Sequence, residues 1–117
     1  MWLFIPEGFY SIVTAEEFGH EVQIRSRSKA DIDRLREAYF PSLPEPIHKS
    51  GRDYPWRAFA TRQQLADCLA KVALSLDYTN FKDTVARRLS DHRAHIYLRV
   101  WSACHAIERE GAEDGTA

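Results

Sequence analysis

Residues 77–101, DYTNFKDTVARRLSDHRAHIYLRVW, combine core-type aromatic residues with Asn, Lys, Arg and His at helical spacing, which makes this segment the first place to look for a site. Tyr78, Asn80 and Lys82 form a candidate polar binding cluster, and with His95 they would line a pocket for a nucleotide or another small molecule. The Asp, Thr and Asn of the segment are also the residue types that cap helix starts by accepting backbone N–H bonds. Because capping requires the same residues, it is the favoured interpretation.

A second candidate site is a basic and aromatic strand surface. Arg25 and Arg27 alternate onto one face of a predicted strand, and Arg57 lies in another strand with Tyr54 and Trp56 nearby. Such sheet surfaces bind phosphates and stack single-stranded bases. The favoured alternative is a solvated outer face on which arginine stems cover apolar surface, because no RNP-type motif accompanies the arginines. The pattern leaves open which face of its strand Trp56 occupies.

The sequence contains no recognised motif for catalysis or for metal binding. Asp91, His92 and His95 lie near the start of the last predicted helix, but their spacing matches no HExxH or Cys/His pattern. The serines form no GxSxG elbow, and the glycines form neither GxGxxG nor a P-loop. The sequence therefore predicts neither a bound metal nor a cofactor, and it favours a protein that is not an enzyme.

Composition indicates one folded domain without a global charge field. A hydrophobic content of 44% is typical of a chain that buries a core, and 117 residues are enough for one core. We expect a single α+β domain over residues 1–108 and a disordered tail over residues 109–117. Sixteen basic side chains balance seventeen acidic ones, so binding to a nucleic acid would need a local patch.

Cysteine placement and hydropathy indicate the cellular environment. Cys68 and Cys104 each fall in an apolar helical pattern, which predicts two buried free thiols. Residues 1–13 lack the basic region and the cleavage pattern of a signal peptide, and no run approaches the ~18 apolar residues that span a bilayer. We therefore expect a cytoplasmic protein that does not bind membranes.

The first half of the chain predicts a hairpin followed by a helix. Residues 2–14 have the composition of a strand, interrupted at residues 6–8 by a turn or bulge. Residues 21–27 alternate between an apolar face and a polar face, which predicts a strand with one wet side. Ser28 followed by Asp31 resembles a capping box at the start of the helix.

The second half predicts another hairpin and further helices. The hairpin covers residues 47–61 around a Ser-Gly turn, and Thr61 with Gln64 forms a capping box for the next helix. Two more helices follow, the first over residues 80–89. Helical spacing predicts one shared core that contains Leu65, Leu69, Val72, Leu76, Phe81, Val85, Val100 and Trp101, and a last helix that also buries Tyr97, Cys104 and Ile107.

The predicted element order is ββαββα plus an extra C-terminal helix. If the two hairpins join, they form a four-stranded antiparallel sheet with helices on one face, which is an α+β fold. Such an architecture hosts many activities, so it carries no function by itself.

Several sequence segments resemble a known family. These are MWLF and GFYSIV near the start, DYPWRA at 53–58, DYTNFKDTVARR at 77–88 and RAHIYLRVW at 93–101. Together they resemble a family of short, uncharacterised bacterial and phage-borne proteins, and the similarity covers nearly the whole chain. No activity is attached to that family, so the resemblance implies one domain and leaves the function to the residues.

Three functional hypotheses follow from these patterns. The leading one is a non-enzymatic protein-interaction module that presents a sheet face or helical surface to another macromolecule; by association with the phage-like resemblance, inhibition or modulation of a host or defence complex is a candidate setting for such a module. The second is a nucleic-acid-binding protein that uses Arg25, Arg27 and Arg57. The third is a small enzyme or ligand-binding protein with the pocket at residues 78–95.

Overall fold

The computed structural model describes residues 1–17 and 19–113, with side chains described as far as residue 110. The class is α+β, as predicted, and the Cα atoms group into two compact units, Met1–Asp77 and a second unit that begins at Tyr78. The strands are β1 (Trp2–Ile5), β2 (Gly8–Thr14), β3 (Val22–Ser26), β4 (Ile47–His48) and β5 (Trp56–Ala60), and the helices are α1 (Lys29–Ala38), α2 (Arg62–Leu74), α3 (Phe81–Arg88), α4 (Asp91–Cys104) and α5 (Ile107–Glu113). Of the tail predicted over residues 109–117, α5 includes the part up to Glu113, and residues 114–117 lie outside the described residues.

The first unit contains one antiparallel sheet of five strands in the order β1-β2-β3-β5-β4. The prediction of four strands was wrong, because residues 2–14 form two strands with a tight turn at Pro6 and Glu7. Proline has a fixed φ and no N–H to donate, so it favours a turn over a continuous strand. The two predicted hairpins join through β3 and β5, which places Arg25 directly opposite Arg57.

The turn between β1 and β2 packs tightly against α1. A Cβ atom at Gly8 would lie 2.6 Å from Cγ of Asp31, so a larger residue does not fit there. The buried Asp31 carboxylate accepts a hydrogen bond from the Phe9 N–H at 3.0 Å and pairs with the guanidinium of Arg34. The predicted capping box was therefore wrong: Ser28 makes no side-chain cap bond, and Asp31 holds β2 against the helix instead.

Buried apolar side chains line one face of this sheet. Cys68 is the buried residue of α2, and Leu65 and Val72 of the same helix are partly buried against the core. Leu76 is 61% exposed, contrary to prediction, because α2 ends at Leu74. The buried core cluster consists of Ile5, Tyr10, Ile12, Val22, Ile24, Ile32, Leu35, Phe40, Leu43, Ala58, Ala60 and Cys68.

The second unit is built on α3 and α4, which contact one another. Val85 and Tyr97 are buried, and the rings of Phe81 and Tyr97 stack with their centroids 5.8 Å apart. Trp101 is 62% exposed and Ile107 is 61% exposed, so their predicted burial was wrong. At 1.5 Å per residue, the eight residues of α3 extend only about 12 Å, which is enough to cover the first half of the fourteen-residue α4.

Candidate functional site: the outer face of the sheet

The outer face is the sheet face that carries the residues alternating with the buried core residues. In β3, Val22, Ile24 and Ser26 are buried while Gln23 and Arg25 are half-buried, which confirms the predicted alternation. Strand pairing places one outer-face position of each of the five strands in a single row. This row consists of Trp2, Ser11, Arg25, Arg57 and Ile47.

The arginine cluster consists of Arg25, Arg27 and Arg57, and it surrounds Tyr54. The guanidinium carbon of Arg25 lies 4.9 Å from the centroid of the Tyr54 ring, and that of Arg27 lies 4.5 Å from the same centroid. These are cation–π distances. Arg25 is held further by Ser11, whose hydroxyl accepts from Nη2 at 2.6 Å. The structure thus brings four sequence-predicted site residues into one cluster.

Arg57 is fixed by a set of hydrogen bonds to its neighbours. Its Nε donates to the Tyr54 carbonyl oxygen at 3.2 Å, and its Nη2 donates to the Asp53 carbonyl oxygen at 3.1 Å. Its Nη1 donates to Oε1 of Gln23 at 3.0 Å, and the Gln23 amide nitrogen in turn donates to the Thr14 carbonyl oxygen. The guanidinium is therefore held in one orientation on the outer face.

The electrostatic environment of Arg57 is positive. Burial lowers the pKa of Arg57, and the nearby charges of Arg25 and Arg52 lower it further. Glu17 and Asp53 act in the opposite direction but do not cancel the shift. Arginine remains protonated at neutral pH, so Arg57 is a partly desolvated cation beside two other cations.

Arg27 is the most accessible member of the arginine cluster. Its Nη1 lies 2.6 Å from Oδ1 of Asp53, and the two side chains are 60% and 68% exposed. Ion pairs this exposed contribute little to stability, because water solvates both partners well. The guanidinium of Arg27 is therefore accessible from solvent and only weakly held by Asp53.

The aromatic strip consists of Trp2, Phe4 and Phe9 on the outer face of β1 and β2. The rings of Phe4 and Phe9 stack at 4.4 Å, and Trp2 meets Phe9 edge-on at 5.5 Å. Trp2 is 63% exposed. The sequence interpretation missed the strip, but a tight turn at Pro6 would have revealed it, because a two-residue loop places Phe4 directly opposite Phe9.

Trp56 lies on the opposite face of the sheet. Its neighbour Arg57 points to the outer face, so the period of two residues in a strand directs Trp56 toward the core side. The indole is half-buried against the core cluster, and its ring centroid lies 4.6 Å from that of His48. Trp56 therefore supports the sheet and does not join the arginine cluster.

The polar cluster predicted in the second unit is engaged locally. Asn80 is the N-cap of α3, and its Oδ1 accepts from the Asp83 N–H at 2.9 Å, which confirms the capping interpretation. The Tyr78 ring lies 6.0 Å from that of Phe81, and Lys82 is exposed. His95 places Nδ1 2.8 Å from the carbonyl oxygen of Asp91, one turn earlier in α4.

In the described part of the chain, no group of three or more His, Cys, Asp or Glu residues is arranged to hold a metal ion. Cys68 is buried, and burial raises the pKa of its thiol; Cys104 is exposed, contrary to prediction. Within residues 1–17 and 19–113, no helix has the length and apolar character needed to cross a bilayer.

The comparisons with known proteins identify no relative. No protein-family model, curated protein or solved structure matches this chain. The resemblance to short bacterial and phage-borne proteins therefore stays a prediction.

Proposed function

We propose that the outer face of the sheet binds a single-stranded nucleic acid. The observation that carries the proposal is the position of Tyr54, which joins the arginine cluster to the aromatic strip on one side of the sheet. Its ring contacts the guanidinium groups of Arg25 and Arg27, and it also meets Phe9 edge-on at 6.1 Å. Cations for phosphates and rings for bases thus lie next to one another.

This arrangement matches the chemistry of an unpaired strand. Guanidinium groups bind phosphate oxygens with charge-assisted hydrogen bonds, and an exposed aromatic ring stacks on a base regardless of its identity. In a duplex the bases are already stacked on one another, so only the phosphates would be available to this surface. The outer face is therefore expected to prefer single strands over duplexes.

The charge distribution is consistent with modest affinity. The chain has a formal net charge of −1, so attraction depends on the local cluster and not on the whole protein. Arg52 lies close enough to influence Arg57, whereas Asp53 and Glu17 offset part of the positive charge. About three phosphate contacts are available, which is few compared with proteins that bind tightly through electrostatics alone.

Fluorescence anisotropy of labelled oligonucleotides at low salt tests the proposal. We expect wild-type protein to bind single strands more tightly than a duplex of the same length, and Arg25→Gln and Arg27→Gln each to weaken binding. Arg62→Gln is the matched control, because Arg62 is an exposed arginine on α2 whose partner is Glu21. The proposal would be rejected if Arg25→Gln and Arg27→Gln bind as tightly as the wild type, or if the wild type does not bind.

The protein-interaction hypothesis is the second candidate. The observation that favours it is a set of large apolar side chains exposed on α4 and α5: Ile96, Trp101 and Ile107 are 42%, 62% and 61% exposed. Exposed apolar surface of this kind is common where proteins bind one another. Affinity capture with wild-type protein and with Trp101→Glu tests this candidate. A partner protein that the wild type and Trp101→Glu capture equally well would bind a surface that does not include Trp101.

A further inference from the structure

Tyr54 has an unusual backbone conformation. Its φ is +56°, and among the described residues it is the one non-glycine residue with positive φ. A bulky side chain rarely adopts this region, because its Cβ approaches the backbone too closely. Pro55 follows directly, and a proline favours extended conformations in the residue before it, so the positive φ of Tyr54 departs from that preference too. Strained residues persist only where their surroundings hold them, and they are concentrated at functional sites.

The strained conformation allows one residue to contact all three members of the arginine cluster. Tyr54 is 7% exposed, and its ring lies beneath the guanidinium groups of Arg25 and Arg27. The carbonyl oxygen of Tyr54 accepts from Nε of Arg57 at 3.2 Å. Tyr54 lies two residues before β5, which begins at Trp56, and its positive φ breaks the extended path of the chain at that point.

We infer that Tyr54 is the positioning residue of the proposed binding surface, holding the three guanidinium groups in one array before a ligand arrives. This inference rests on the proposed function for its effect on affinity. Free arginine side chains occupy many rotamers and repel one another, so a ligand would have to order them at a cost in binding free energy. Stacking on one buried ring and bonding to one carbonyl removes much of that cost in advance.

The first measurement does not require a ligand. Protons held over an aromatic ring resonate upfield, so in an NMR spectrum of the wild type the Nε–H signal of Arg27 should lie upfield of the Arg62 signal. The Nε–H of Arg25 also donates to the Ser11 carbonyl oxygen at 3.3 Å, which shifts its signal downfield, so the ring shift of Arg25 is measured as the difference between wild type and Tyr54→Leu. Tyr54→Phe should retain both upfield shifts, and Tyr54→Leu should abolish them. A wild-type Arg27 signal that coincides with the Arg62 signal would overturn the inference even if no variant folds.

The second measurement is affinity for a labelled single-stranded oligonucleotide at low salt. Tyr54→Phe should bind like wild type, and Tyr54→Leu should bind about tenfold more weakly, since two cation–π contacts are lost while the arginines remain. Its salt dependence should stay unchanged, because the number of phosphate contacts is the same. Tyr54→Met replaces Tyr54→Leu if thermal melting shows that the leucine variant is unfolded.

The two measurements separate the inference from the proposed function. If wild type binds no oligonucleotide but Tyr54→Leu removes the upfield shifts, the proposed function fails and the positioning of the arginines stands. If wild type binds and Tyr54→Leu binds equally well, the positioning role is overturned whatever the NMR spectrum shows.

Discussion

The ring of Phe9 meets the ring of Tyr54 edge-on, with the two centroids 6.1 Å apart. Phe9 lies on β2, whereas Tyr54 lies just before β5, so the contact links the two hairpins across β3. The aromatic strip and the arginine cluster therefore form one surface, and their contributions to binding can be separated by substitution.

The arginine cluster should determine how binding depends on salt. With about three phosphate contacts, the logarithm of affinity for a single strand should fall with the logarithm of salt concentration at a slope near −2. Arg27→Gln should make the slope shallower by about 0.7, because one contact is lost. Titrations at four or five salt concentrations measure this, and an unchanged slope would show that Arg27 does not contact phosphate.

The aromatic strip should contribute affinity without changing the salt dependence. Trp2→Ala removes a stacking surface and should cost about 1–3 kcal/mol of binding free energy, while its slope with salt stays that of wild type. Trp101→Ala is the matched control, because Trp101 has a similar exposure, 62% against 63%, and lies in the second unit. Equal losses in both variants would contradict a specific role for Trp2.

Gly8→Ala should destabilise the first unit. The new methyl group would lie 2.6 Å from Cγ of Asp31, and overpacking of this kind costs about 1–3 kcal/mol of unfolding free energy. Chemical denaturation measures the loss. In an Asp31→Gly background the same substitution should cost much less, since all the Asp31 side-chain atoms that the new methyl group would meet, including Cβ at 2.8 Å, are gone. A cost that is independent of Asp31 would mean that crowding is not the cause.

In the second unit, the loss of unfolding free energy on substitution should depend on how buried the residue is and not on how apolar it is. Val85 is 0% exposed, so Val85→Ala should cost roughly 2 kcal/mol through lost burial and the cavity that remains. Trp101→Ala should change the unfolding free energy by only about 0.5 kcal/mol, as is usual for exposed residues. Melting curves measure both variants. A larger loss of stability for Trp101→Ala than for Val85→Ala would show that Trp101 is packed in a core.

The two thiols should differ in reactivity and in their effect at alkaline pH. In native protein, iodoacetamide should label the exposed Cys104 and spare the buried Cys68, and denaturant should expose both to labelling, as peptide mass spectrometry can show.

Burial raises the pKa of Cys68 above its ordinary value of 9.0. The stability linked to this thiol is therefore complete below pH 9.0 and is lost as pH rises further.

Cys68→Ala provides the control for the alkaline effect. It should lose less stability between pH 8 and pH 10 than wild type, because it has no buried thiol to deprotonate. An identical loss in both proteins would assign the alkaline sensitivity to other groups.

Local sequence determined the features that depend on neighbours along the chain. The alternation in β3 follows from the period of two residues in a strand, and it placed Gln23 and Arg25 on the outer face. Thr61 and Gln64 form the predicted capping box, since both hydrogen bonds lie within one helical turn. The α+β class likewise follows from the order of these local patterns.

Tertiary structure decided the features that depend on contacts between distant segments. The alternation of residues within a strand does not determine which strands pair. The row that joins Trp2 to Arg25 and Arg57 therefore could not be deduced before the strand order was known. The exposure of Trp101 depends on the length of α3, and the position of Tyr54 depends on a backbone conformation that its residue type disfavours. The sequence thus indicated individual candidate residues, and long-range strand pairing decided which of them meet, because the packing free energy of a sheet depends on the alignment of strands as a whole.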